Sequence, residues 1–356
     1  MMRRMIIVYF SGLLLLSAQS LTVDPSVYKI LDDISTDQLE KYVTKLVNFG
    51  TRHTLSDTVS NTRGIGAARR WIKKEFEEIS KDCGGCLEVE EQWSLAKGSP
   101  KSRIKRDTWI VNIYAVKRGT KYPNRYVIMS GDIDSRISDP LDGKGNSPGA
   151  NDNASGMAGA IELARVLSKH DFPTSIILAG LSGEEQGLFG GRFLAEKAKK
   201  EGWEIVGILN NDMIGNIEGV DGVIDNRTFR IFSEPYSILE TEKQLKQKRF
   251  YGGENDGESR QLARHAFAST KIYLPEMNPL LIYRLDRFGR GGHHRPFNEA
   301  GFPGVRIMEA HENYNRQHQD IRTENGIKYG DVIEGVNFDY CAKLTAVNAA
   351  ALVTLA

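Results

Sequence analysis

The stretch YVIMSGDIDSR, residues 126–136, decides how the rest of the chain is read. Tyr126 to Ser130 carries apolar residues with no polar alternation, which predicts a strand buried on both faces rather than one with a wet side. Asp132 and Asp134 follow directly, one residue apart, where that strand should end. Working outward, three more short apolar runs share the pattern, at Ser175 to Ala179, Ile205 to Leu209 and Val305 to Met308. Helix-like spacing separates them at Ala154 to Ser168, Leu188 to Lys200 and Glu258 to Ala268. Buried strands alternating with helices predict an α/β fold, a mostly parallel central sheet covered by helices on both faces. Upstream, Thr36 to Asn48 and Arg63 to Ile79 have helical spacing, and Leu87 to Trp93 and Trp109 to Val116 look like strands. A last helix is expected over Asp331 to Leu355, and Asn210 to Phe232 and Lys243 to Asn255 read as strand and loop insertions.

The chain opens with Arg3-Arg4, an apolar run from Met5 to Leu16, and the small or polar residues Ser17 to Ser20, the pattern of a secretory signal. Cleavage after Ser20 is expected, so residues 1–20 are a signal peptide, residues 21–356 one catalytic domain, and the protein is exported to the periplasm or beyond the cell. The apolar run is shorter than the ~18 residues a membrane helix needs, and no second run of that length follows, so no stable membrane insertion is expected. Lys and Arg together number 47 against 46 Asp and Glu, for a net charge of +1. Signs so interspersed leave no basic stripe, which argues against nucleic acid as a partner. Of three cysteines, Cys83 and Cys86 sit close enough for a small disulfide, the expected state in an exported chain, and Cys341 falls in an apolar helical pattern as a buried free thiol. Nothing in the sequence fixes the oligomeric state.

In open parallel sheets ligands sit beyond the carboxyl ends of the strands, so the residues after each run matter most. The first run is followed by Asp132 and Asp134, and Pro148 to Gly156 then opens a helix around Asp152; the second leads to Glu184 and Glu185, the third to Asp212, the fourth to a loop reaching His318. One by one these residues have ordinary explanations. Asp152, flanked by Asn151 and Asn153, fits a helix cap, and the glutamates and Asp212 fit solvated loops and turns. Together they put acid on every loop of one rim. Such a gathering repels itself unless cations sit between the carboxylates, and metal is the economical answer.

Gly149-Ala-Asn-Asp-Asn-Ala-Ser-Gly156, Ser182-Gly-Glu-Glu-Gln-Gly187, Asn211-Asp-Met-Ile-Gly215 and His318 resemble the zinc-dependent aminopeptidase family that also contains glutamate carboxypeptidase and glutaminyl cyclase. Phe49 to Thr54, Gly291 to His294 with Pro296-Phe297, and Gln317 to Asp320 fall in the same order, so the resemblance spans most of the chain. It implies a phosphorylase/hydrolase-like domain of the zinc-exopeptidase kind. It also implies that Asp152 bridges two metals, that Glu185 and His318 complete one site, and that Asp212 belongs to the other. Glu184 is then the general base and Asp134 an acid that orients the ligand two residues before it. Zinc would bring water near neutrality in its pKa, and a bridging carboxylate suits two ions ~3.5–4 Å apart.

Two positions depart from the family pattern. Where the family has histidine, any residue, aspartate, this chain has Asp132-Ile133-Asp134, so the ligand histidine has become Asp132. Either Asp132 still ligates, giving an all-carboxylate second site (Asp132, Asp152, Asp212) suited to manganese, magnesium or calcium, or that site is weak and one zinc remains on Asp152, Glu185 and His318. In Gly291-Gly-His-His294, His293 stands where the family has aspartate, and it supplies the missing nitrogen if the two positions are neighbours. The implied function is an exported metallo-exopeptidase that removes N-terminal residues from peptides through a metal-activated water. A free amine would be held by negative charge from Glu184, Asp212 and Asp132. Two alternatives stay open at this stage: a single-zinc acyltransferase of the glutaminyl cyclase kind, and a non-catalytic binding ectodomain that kept the fold.

Overall fold

The computed structural model describes residues 23–356, so the expected signal peptide lies outside the described residues. Helices α1 (Pro25–Asp32), α2 (Thr36–Val47) and α3 (Gly64–Asp82) lead into strands β1 (Leu87–Ala96), β2 (Thr108–Lys117) and β3 (Tyr122–Asp132). Then come α4 (Gly156–Leu167), β4 (Thr174–Leu181), α5 (Phe189–Glu201), β5 (Glu204–Asn211) and β6 (Thr228–Ser233). The chain continues with α6 (Glu242–Tyr251), α7 (Glu258–Tyr273), β7 (Asn278–Ile282), α8 (His294–Ala300), β8 (Gly304–Glu309) and α9 (Phe338–Leu355).

The eight strands form one sheet in the order β1-β2-β4-β3-β5-β8-β6-β7. Its centre is parallel, since β3 pairs in that sense with both β4 and β5, and β5 with β8. The flanks are antiparallel, with β2 against β4 on one side and β6 against β8 on the other. The expected parallel sheet is therefore the middle of a mixed one. Side chains alternate across a strand, and β3 shows what that does here: Val127 and Met129 join the core under α2, α4 and α9, while Tyr126 and Ile128 join the core under α5 and α8. Both faces are apolar because both are covered, which is why the run shows no polar alternation. All four central strands end at the same rim, at Asp132, Leu181, Asn211 and Glu309.

Elsewhere the sequence expectations need correction. Lys243 to Asn255 is not strand and loop, since α6 covers most of it. No residue of α6 is buried, so it has no apolar stripe to read; what fixes it is the capping box in which Thr241 and Gln244 satisfy each other's backbone N–H. The segment after Asn210 does yield a strand, but β6 joins the main sheet beside β8, and β7 is a further strand with only one buried residue. The last helix starts at Phe338, later than Asp331, because Asn337 accepts the Tyr340 N–H and caps it there. Cys83 and Cys86 form a disulfide and Cys341 is buried and free, both as expected. Among the described residues no helix is long and apolar enough to cross a membrane.

The rim is held tightly to the helix it feeds. A Cβ on Gly131 would lie 2.4 Å from the Gly156 carbonyl carbon and 2.5 Å from the Met157 nitrogen, backbone that cannot swing away. Gly131→Ala is therefore expected to lower stability by about 1–3 kcal/mol, the usual cost of overpacking, read as a fall in the denaturant midpoint. An unchanged midpoint would show that β3 and α4 are not wedged together.

Candidate metal centre

Two acidic loops are each locked by a buried carboxylate behind them, and a third segment brings in the histidine. The loop before α4 carries Asp152, and the Asp331 carboxylate accepts the backbone N–H of Asn151 at 2.9 Å and of Asp152 at 2.7 Å. After β4, the Asp134 carboxylate accepts the N–H of Glu184 at 3.2 Å and of Glu185 at 3.1 Å, with the Thr54 hydroxyl at 2.9 Å. Asp134 therefore holds the glutamate loop; Asp132 is not among its hydrogen-bond partners. The third segment, after β8, presents His318 with φ at 56°, and Leu188 and Met213 on the neighbouring loops also have positive φ. Such backbone costs about 1–3 kcal/mol per residue and gathers where a site over-determines it.

These loops bring Asp152, Glu185 and His318 together. His318 Nε2 lies 3.0 Å from Asp152 Oδ2 and 2.9 Å from Glu185 Oε1. Among the described residues this is the one group of three such donors whose atoms all fall within 4.8 Å of one another. Arg136 Nη2 is 2.6 Å from His318 Nδ1, and its Nε is 2.6 Å from Glu185 Oε2. A guanidinium only donates, so Nδ1 accepts and the imidazole proton sits on Nε2, between the two carboxylates. Two carboxylates converging on one ring nitrogen suit a divalent cation, and the mixed oxygen and nitrogen donors suit zinc. Glu184 lines the same cleft of about 480 Å³, and its carboxyl makes no hydrogen bond among the described residues. Burial first, then the charges of Glu185, Asp212, Asp132 and Asp134, push it well above the ordinary carboxylate range.

The other two expected ligands are engaged elsewhere. Asp132 is 2 % exposed; its Oδ1 lies 2.6 Å from His293 Nδ1 and its Oδ2 accepts from Asn153 Nδ2 at 2.7 Å. The two exchanged positions are thus neighbours, but His293 pairs with the acid. Burial pulls its pKa down to about 4. Asp212 Oδ2 sits 2.9 Å from Arg306 Nη2. Arg306 is fully buried, and Asp212 and Asp286 outweigh the desolvation and hold its guanidinium charged. His53, His265 and His294 fill structural roles, each bonding a backbone oxygen.

Sequence reasoning missed Arg136, Asp331 and Arg306. Arg136 ends the very stretch that opened the reading, and Arg306 is a charged residue inside an apolar strand, a signal that could have marked it. It also missed the wall of the cleft, which carries Arg103, Arg192, Arg290 and Arg295 beside Arg136 and Arg287. Among the described residues Arg103, Arg192 and Arg290 have no carboxylate within 4.0 Å.

The family model described as peptidase family M28 matches residues 112–333. A probable zinc metalloprotease of Pyrenophora teres f. teres is 44% identical over 335 residues, covering 94% of this chain and 69% of that one. A second, of Leptosphaeria maculans, is 43% identical and covers 93% and 77%. Among solved structures, the LapA aminopeptidase of Legionella pneumophila has a TM-score of 0.66 at 17% identity, over 100% of this chain and 80% of that one. Glutaminyl cyclase of Macrostomum lignano has a TM-score of 0.64 at 14% identity, over 93% and 92%. At such identities these two share the fold with this chain, an aminopeptidase-like α/β domain.

Proposed function

Because the chain belongs to peptidase family M28, we propose that it removes N-terminal residues from peptides, with Asp152, Glu185 and His318 holding a zinc ion and Glu184 moving the proton. The observation that carries this is one cleft in which a three-donor cluster stands beside an unengaged glutamate. Zinc bound there would polarise the scissile carbonyl and make water a stronger nucleophile near neutral pH. The remaining work falls to the protein. Glu184 accepts a proton from the attacking water and returns it to the departing amine, which requires a carboxylate facing the cleft and free of other partners. Glu185, its neighbour in sequence, is tied to Arg136 and His318 and cannot take that part. Asp134 keeps both backbones in place from behind.

Holding the free amine falls to Glu184 and Asp212, which line the cleft; Asp132, expected to help, is buried beneath it against His293. The arginines on the wall give the cleft a bias toward substrates with a carboxylate near the scissile bond. Blocking the amine by N-acetylation is expected to reduce kcat/KM at least about tenfold, the effect of one lost charged contact. A Glu-bearing peptide should be preferred over its Lys counterpart by about two- to fivefold per unpaired arginine, and Arg290→Glu should lower that preference. Equal rates on free and acetylated peptides would reject the aminopeptidase reading. The Arg3-Arg4 leader supports export, testable as secretion of the full chain and retention of one lacking residues 1–20.

A second reading is favoured by the single three-donor cluster: cyclisation of N-terminal glutamine by the same residues, with Glu184 shuttling a proton from the attacking amine to departing ammonia. Mass spectrometry of a Gln-initiated peptide separates the two. Loss of ammonia supports the cyclase, release of free glutamine the peptidase.

A further inference from the structure

The two-ion centre that the family resemblance implies does not fit the second half of this site. A second ion would need Asp132 and Asp212 alongside Asp152. Both oxygens of Asp132 are occupied, by His293 at 2.6 Å and Asn153 at 2.7 Å, and Asp132 is absent from the cleft wall. Asp212 is reached by a cation that cannot leave. Arg306 rises from β8, fully buried, with Nη2 2.9 Å from Asp212 Oδ2 and 3.2 Å from the Asp212 carbonyl oxygen. Its Nη1 lies 3.1 Å from Asp286 Oδ2 and 2.6 Å from the Gly291 carbonyl oxygen. A guanidinium stays protonated in a protein and binds carboxylates at fixed geometry. A divalent ion on Asp212 would face that charge across a buried gap with little water to screen it.

The exchange of histidine for Asp132 and of aspartate for His293 points the same way. In this chain the two exchanged residues are in contact, an acid against an imidazole, so each occupies the other. What changes is which of them sits at the second-ion position. We propose that this chain has replaced the second divalent cation by the Arg306 guanidinium, and that its centre binds one divalent ion only. The inference rests on the reading of Asp152, Glu185 and His318 as the first site. Arg306 then acts as a positioning residue: it fixes Asp212 at the edge of the cleft through Oδ2 and the backbone carbonyl oxygen, whatever metal is supplied.

The test counts metal. The full chain is saturated with zinc or with manganese, stripped of free ion by gel filtration, and assayed for metal equivalents, with electron paramagnetic resonance on the manganese form. One equivalent with the spectrum of an isolated ion is expected, lost in His318→Ala and kept in Asp212→Asn. Two equivalents, or an exchange-coupled manganese pair, would overturn the inference while leaving the first site standing. A single equivalent that His318→Ala keeps and Asp212→Asn loses would overturn it together with the first site, and so would no bound metal at all. The wild-type count decides by itself if either variant fails to fold.

Discussion

Glu184→Gln is expected to lower kcat about 10²- to 10⁴-fold, the usual contribution of a positioned general base, while metal content and thermal midpoint stay at wild-type values. Glutamine has the same shape but cannot take up a proton, so the substitution separates chemistry from architecture. The surroundings justify expecting so clean a separation. The backbone N–H of Glu184 is held by Asp134 at 3.2 Å, and its side chain has no hydrogen bond among the described residues to lose. Substrate affinity should change less than kcat, because the glutamine carbonyl oxygen can still accept from the peptide amine but cannot take up the proton of the water. Peptide kinetics over a range of concentrations would check this. Activity within tenfold of wild type would mean that another group takes the proton, and Asp212 would be the next residue on the cleft wall to test.

That prediction uses a residue legible in the sequence, and the way it was legible explains what was not. The four central strands could be read because both faces are buried, so Tyr126, Val127, Ile128 and Met129 are all apolar although they serve two different cores. Strand β6 was legible only as part of an insertion and β7 escaped, because they lie toward one edge, where Arg230 is partly exposed and Leu280 exposed and no continuous run forms. Helix α6 escaped because it buries nothing. The site divides in the same way. Glu184, Glu185 and Asp212 follow strands closely, and Asp152 and His318 lie on the loops that leave the same rim, so the rule about strand ends finds them. Asp331 and Arg306 act across about 180 and 90 residues of chain, and no spacing in the sequence announces such partners. The swap of Asp132 and His293 was visible as two departures from a pattern; only the 2.6 Å contact makes them one event.

Arg306→Met should be the most destabilising single change at the site, by about 3–5 kcal/mol, the penalty for leaving a buried charge without its partner. Asp212 and Asp286 are 4 % and 3 % exposed, so water cannot replace the guanidinium at either. The two acids differ in what remains. Asp286 keeps Arg287 Nε at 3.4 Å and His294 Nε2 at 3.8 Å, whereas Asp212 has no second cation within 4.0 Å among the described residues. Most of the loss should therefore trace to Asp212, and Arg306→Met combined with Asp212→Asn should regain more than half of it in a double-mutant cycle measured by denaturant unfolding. The same pair distinguishes an internal cation from a packing residue. If Arg306 stands in for an ion, manganese in excess should raise the thermal midpoint of Arg306→Met above the shift seen in wild type, since a cation that binds only the folded state stabilises it. If the midpoint of the variant does not respond to any divalent ion and Asp212→Asn recovers nothing, the guanidinium holds β8 by packing and hydrogen bonds alone, and its charge is not what the carboxylates require.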